Sequence, residues 1–142
     1  IAVEGPDGLA AEALRRLEYI CDAYLSVSTP IQQAAARLID EGADVRRQIA
    51  ERVRGNYHRL QRLGRDHPSV EVLHGDAGWS AVIRVPSREP EEALVLELLR
   101  DGVVVHPGFF FDFAHEAFLV VSLLPAPPVF EEGIARVLAR VG

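Results

Sequence analysis

The chain has 142 residues, 49% of them hydrophobic, and a formal charge of −6. That is enough apolar matter for one real core, and it excludes a disordered or fibrous chain. The acidic balance, with a pI near 5.3, argues against nucleic acid as a partner, because phosphate binding draws on net basic surface.

No apolar run approaches the roughly 20 residues that span a bilayer, so no membrane partner is expected. The single cysteine, Cys21, cannot close an internal disulfide; it is expected to be a buried helical residue in a reducing, cytoplasmic setting. The chain opens at Ile1 without methionine or a charged-then-apolar leader, and is expected to be a piece of something longer. All fifteen basic residues are arginine. Schiff-base chemistry needs a lysine amine, so this chain alone cannot perform it.

In chain order, Ile1-Ala-Val-Glu-Gly-Pro reads as a strand and turn. Leu9 to Leu25 predicts a helix that turns Leu14, Leu17, Ile20 and Cys21 inward and Arg15, Arg16 and Glu18 outward. Ser26 to Thr29 interrupts it. Pro30 then suits the first turn of a second helix, capped by Ser28 or Thr29, carrying Ile31, Ala34, Ala35 and Leu38 to Ile39 before Glu41-Gly42 ends the pattern.

Val45, Ile49, Val53, Tyr57, Leu60 and Leu63 form one stripe of a long third helix that stops at Gly64. Its outer face carries Arg46, Arg47, Arg52, Arg54, Arg59 and Arg62. With no aromatic platform or glycine loop interleaved, this reads as a solvated face rather than a nucleic-acid footprint.

Val70 to Leu73 predicts a short strand, and Gly75 to Gly78 a turn. Trp79 to Val85 alternates, with Trp79, Ala81, Ile83 and Val85 on one face and Ser80, Val82 and Arg84 on the other, as an antiparallel partner would. Pro90 opens a helix through Leu94, Leu98 and Leu99 that ends at Asp101-Gly102. Val103 to Val105 and Phe118 to Leu123 read as buried strands that helices cover. After the break at Pro125 to Pro128, Phe130, Ile134, Val137, Leu138 and Val141 face inward on a closing helix.

The expected fold is therefore α/β, an α+β small domain in which a mixed sheet of about four strands packs on helices. The expected division is residues 1–42, with the opening strand and two helices, and residues 43–142.

No self-sufficient catalytic motif is present: neither a Gly-rich phosphate loop, nor a Gly-x-Ser-x-Gly elbow, nor Cys-x-x-Cys. The five histidines, His58, His67, His74, His106 and His115, lack metal-ligand spacing, so no metal is expected. Asp112, His115 and Glu116 read either as an acid/base cluster or as a polar hairpin tip.

Taken together, several stretches in this order are similar to the C-terminal, small-domain region of class I/II, fold-type I pyridoxal-phosphate-dependent aminotransferases. They are Ile1-Ala-Val-Glu-Gly-Pro, Tyr24-Leu-Ser-Val-Ser-Thr-Pro-Ile-Gln-Gln-Ala, the helix from Val45 to Leu63, Gly78-Trp79-Ser80-Ala81, Val103-Val-Val-His-Pro-Gly and Phe118-Leu-Val-Val-Ser-Leu. The resemblance covers essentially the whole chain.

It implies that a parent protein transfers amino groups between amino acids and 2-oxo acids, with pyridoxal 5'-phosphate held by a large domain upstream of Ile1. The fragment itself would bind no cofactor and be inactive. The two N-terminal helices would belong to the large-domain layer, and the parent would be a homodimer with an amino-acid substrate.

In the family, the third residue of the last strand is an arginine that pairs with the substrate carboxylate. Here Val120 stands in that place, so either Arg84 or an upstream residue takes over, or the substrate presents something other than a simple α-carboxylate there. The loop Pro107-Gly108-Phe109-Phe110-Phe111 matches the family's substrate-covering loop, unless its phenylalanines instead fill the core. A regulator parent, with this domain sensing a ligand behind a winged helix, is the alternative the missing arginine leaves open. A free-standing interaction module is a third.

Overall fold

The computed structural model describes residues 4–24, 27–115 and 117–142. Its chain divides into two compact units, Ile1–Asp44 and Val45–Gly142.

The first unit holds α1 (Asp7–Tyr24) and α2 (Thr29–Glu41). Pro6 starts α1 by offering its carbonyl to the N–H groups of Leu9 and Ala10 at 2.9 and 3.0 Å, and Asp7 adds an acid where the helix dipole favours one. Ser28 is the N-cap residue of α2, with proline in the first turn as expected. Within α1, Glu12 accepts hydrogen bonds from Arg15 and Arg16, which together hold its carboxyl below the usual range.

The apolar stripes of both helices are present but not buried: Leu14, Ile20, Ile31, Leu38 and Ile39 are all exposed. Cys21, expected inside, is only half-buried. Leu25 lies outside the described residues, as do residues 1–3 of the opening strand.

The second unit carries α3 (Ala43–Arg65) from its third residue onward, β1 (Glu71–Val72), β2 (Ser80–Arg84), α4 (Glu91–Arg100), β3 (His106–Pro107), a 3-10 turn (Gly108–Phe111), β4 (Phe118–Ser122) and α5 (Pro127–Val141). The sheet order is β1-β2-β4-β3. The fold class is the expected one, but every ladder is antiparallel rather than mixed. Helix α4 carries the chain from β2 to β3, which do run in the same direction; β4 inserts between them and pairs antiparallel with each.

Strand period then sorts the side chains, because residues directly opposite in a ladder project to one face. Ala81 and Ile83 of β2 meet Val121 and Leu119 of β4. These four join Leu60 of α3, Leu94 and Leu98 of α4, and Phe130, Ile134, Val137, Leu138 and Val141 of α5 in the core. All five apolar positions read for the last helix are thus buried.

The long stripe of α3 is covered only along its C-terminal half. Leu60 is wholly buried, with Val53, Tyr57 and Leu63 packed beside it, whereas Val45 and Ile49 are exposed.

Three sequence expectations shift. Residues 103–105 are not a strand; they lead into β3, an edge strand, with Val103 and Val105 buried and Val104 exposed. Trp79 precedes β2, and although its carbonyl accepts from Leu123 N–H at 2.7 Å, its ring is 63% exposed. Leu99 also faces solvent, because Leu94 and Leu98 already occupy the core face of α4. Its stop is as read: Gly102, at φ +78°, takes the left-handed conformation a glycine tolerates, and Val103 N–H bonds Leu98 carbonyl at 2.8 Å.

Truncating Leu60 to alanine is expected to lower the unfolding free energy by about 2–5 kcal/mol. The change Val45→Ala, on the uncovered half of the same helix, should alter it by less than about 0.5 kcal/mol. Urea titration followed by circular dichroism checks both.

Candidate functional site

The sheet has a second face that α3, α4 and α5 do not cover. By register it presents Glu71 of β1, Ser80, Val82 and Arg84 of β2, Phe118, Val120 and Ser122 of β4, and His106 of β3. Across its middle, Val82, Val120 and His106 form one row, since Val120 is opposite both of the others. The next row is Glu71, Arg84 and Phe118.

This places the residues singled out from the sequence. Val120 is buried, yet it lies on the open side of the sheet rather than among the core residues. Arg84 shares that side, one row away, and its side chain is 59% exposed in an ion pair with Glu71, its direct cross-strand partner. Pro107 points the other way with Leu119 and is buried.

Gly108 is also buried and fits where no side chain would. A Cβ there would sit 2.8 Å from Phe118 Cβ, 3.2 Å from Glu91 Oε1 and 3.3 Å from Phe113 Cδ2. Phe109, Phe110 and Phe111 do not fill the core; they are all exposed, Phe110 at 65%. The 3-10 turn ties their backbone down while Glu91 and Phe118 occupy the space beneath, so the rings go outward. Phe109 and Phe110 pack edge to face at 4.9 Å, and His106 lies 6.1 and 6.0 Å from the rings of Phe110 and Phe111. Phe113 stacks on Phe118 at 4.8 Å. An aromatic wall therefore stands at the β3 end of the open face.

Two residues that the sequence pattern does not single out hold this arrangement. Glu91, 2% exposed at the start of α4, accepts the N–H of Phe109 at 3.2 Å through Oε2 and the N–H of Phe118 at 2.7 Å through Oε1. One carboxylate thus fixes the loop to the first residue of β4. Asn56, wholly buried on α3, donates from Nδ2 to the carbonyls of Leu123 and Pro125, both at 2.9 Å, and so anchors the exit of β4. Tyr57 does the same for the β1–β2 connection, donating to Leu73 carbonyl at 3.1 Å and accepting Gly75 N–H at 3.3 Å.

Other candidates stay apart. Asp112 caps the 3-10 turn at φ 55°, and Glu116 of the Asp112-His115-Glu116 reading lies outside the described residues. His74 pairs with Asp76 in the exposed β1–β2 connection. Arg59 and Arg62 reach Glu131 of α5 at 3.7 and 3.8 Å, and Arg47 bonds Glu51, so part of the arginine face of α3 is spent on carboxylates. Among the described residues no cluster of His, Cys, Asp and Glu is arranged to hold a metal ion, and no helix is long and apolar enough to cross a membrane. A groove of about 350 Å³ between residues 103–105 and α5 contains none of Arg84, Pro107, Gly108, Phe109 or Val120.

Comparison with known proteins adds to this geometry. No protein-family model matches the chain, and neither does any curated protein sequence. Among solved structures, it is similar to an α-aminoadipate aminotransferase from Thermus thermophilus, complexed with N-(5'-phosphopyridoxyl)-L-leucine, at 25% identity and a TM-score of 0.71 over 92% of this chain and 35% of that one. A probable N-succinyldiaminopimelate aminotransferase, also from Thermus thermophilus, matches at 19% identity and a TM-score of 0.76, over 91% of this chain and 35% of that one. A kynurenine aminotransferase from Pyrococcus horikoshii matches at 14% identity and a TM-score of 0.71, over 92% and 34%.

The chain has the fold of a segment of the fold-type I, pyridoxal-phosphate-dependent aminotransferases, the family its sequence resembles. It spans about a third of the length of these relatives.

The sequence has no lysine for a Schiff base, and on the open face the guanidinium of Arg84 is paired with Glu71.

Replacing Glu91 with alanine leaves two backbone donors without their acceptor, and is expected to cost about 2–4 kcal/mol of stability. Glu91→Gln, which keeps one carbonyl oxygen, should cost less. Gly108→Ala should cost about 1–3 kcal/mol through the overlap with Phe118. Urea midpoints of the three variants measure the order.

Proposed function

We propose that this chain is a segment of a pyridoxal-phosphate-dependent aminotransferase that moves an amino group between an amino acid and a 2-oxo acid. The likeness to the phosphopyridoxyl-leucine-bound enzyme, spread over 92% of this chain, is the observation that carries the reading. The open sheet face and the 107–111 loop form one wall of the substrate site, and residues outside the chain hold the cofactor.

In this reading the chain binds and orients, and it leaves the bond-making to residues elsewhere. Val82, Val120, Phe109 and Phe110 supply apolar and aromatic surface that excludes water from the substrate. Gly108 lets the loop lie close against β4, and Glu91 keeps it there. Alone, the 142 residues do not transaminate, since no amine on a side chain is available for the Schiff base. The exposed stripes of α1, α2 and the first half of α3 fit a role against the remainder of the parent or a second subunit, as in a cytoplasmic homodimer.

The full-length protein is expected to purify with a visible cofactor absorption that changes on adding an amino donor, and to lose it when the cofactor-binding lysine is replaced. A full-length protein that takes up no cofactor contradicts the reading.

A further inference from the structure

His106 stands out on the open face. It is exposed, directly opposite Val120, and has neither a hydrogen bond nor an ion pair among the described residues, whereas Arg84 is engaged by Glu71. Phe110 and Phe111 flank its ring at 6.1 and 6.0 Å and limit where it can point. An imidazole so held offers an N–H donor beside the apolar row of Val82 and Val120.

Resting on the aminotransferase reading, we infer that His106 binds the carboxylate of the substrate in this protein, from the β3 side of Val120. The two directly opposed positions have Cβ atoms about 4.5–5.5 Å apart. A donor at either one reaches the same small volume above the sheet. The apolar floor made by Val82 and Val120 raises the strength of that single bond by keeping water off it.

The test uses the full-length, cofactor-loaded protein and steady-state transamination with each of the twenty common amino acids as donor and 2-oxoglutarate as acceptor, taking the best donor forward. His106→Ala and His106→Phe should each raise KM for that donor about ten- to a hundredfold, the loss of one charge-assisted hydrogen bond, with kcat changed far less. The phenylalanine variant keeps a ring against Phe110 and Phe111 but has no donor, so it separates binding from packing. Adding Val120→Arg to His106→Phe should recover most of the lost affinity.

Normal KM in both single variants overturns the assignment, as does a normal KM in His106→Phe with an impaired His106→Ala, which would make the ring a packing element. A raised KM in Arg84→Gln with both histidine variants normal would hand the carboxylate to Arg84 and overturn it equally. Wild-type protein without cofactor absorption overturns the aminotransferase reading itself, and this inference with it.

Discussion

Glu91 stands at the start of α4 with its carboxylate shut away from solvent, and the backbone N–H groups of Phe109 and Phe118 donate to it from two separate segments. The arrangement needs every partner in place. A buried acceptor without donors is costly, and so are buried donors without an acceptor, so α4, the 3-10 turn and the first residue of β4 become one rigid corner. Gly108 completes it, since any side chain there would push Phe118 and Glu91 apart. The consequence reaches the open face: with the loop backbone fixed, the phenylalanine rings project outward and flank His106.

The period of the strands then sorts the side chains between the core and the open face. One face of β2 and β4 carries Ala81, Ile83, Leu119 and Val121 into the core. The other carries Val82, Arg84, Val120 and, through β3, His106. A register slip of one residue would exchange the two sets, so the same hydrophobic burial that stabilises the sheet also specifies which side chains the open face presents. Asn56 reinforces that register by holding the carbonyls of Leu123 and Pro125, just past the end of β4.

Hydrophobic periodicity in the sequence is enough to find what local spacing encodes. The inward positions of α5, the C-terminal half of the α3 stripe and the alternation of β2 are all visible from residues a few places apart. The stripes of α1 and α2 are equally legible as patterns, but a pattern shows only which side is apolar, and these sides are exposed in this chain. What spacing does not encode is a partner far along the chain. Glu91 reads as an ordinary acid in a first helical turn, and its donors lie 18 and 27 residues later. Asn56 looks like an outer-face polar residue until its carbonyl partner, 67 residues on, is known. His106 reads as one histidine among several, because β3 is two residues long and only its pairing with β4 sets the direction of the side chain. The triple phenylalanine is ambiguous for a related reason: a 3-10 turn over an already filled space sends apolar rings to the surface, against the usual preference.

The most direct test is a crystal structure of the full-length protein with a phosphopyridoxyl-amino acid adduct bound. The account predicts the open face of the sheet turned toward the adduct, with a His106 ring nitrogen about 2.7–3.2 Å from its carboxylate. An adduct bound away from this face, or an open face packed entirely against other protein, would contradict it.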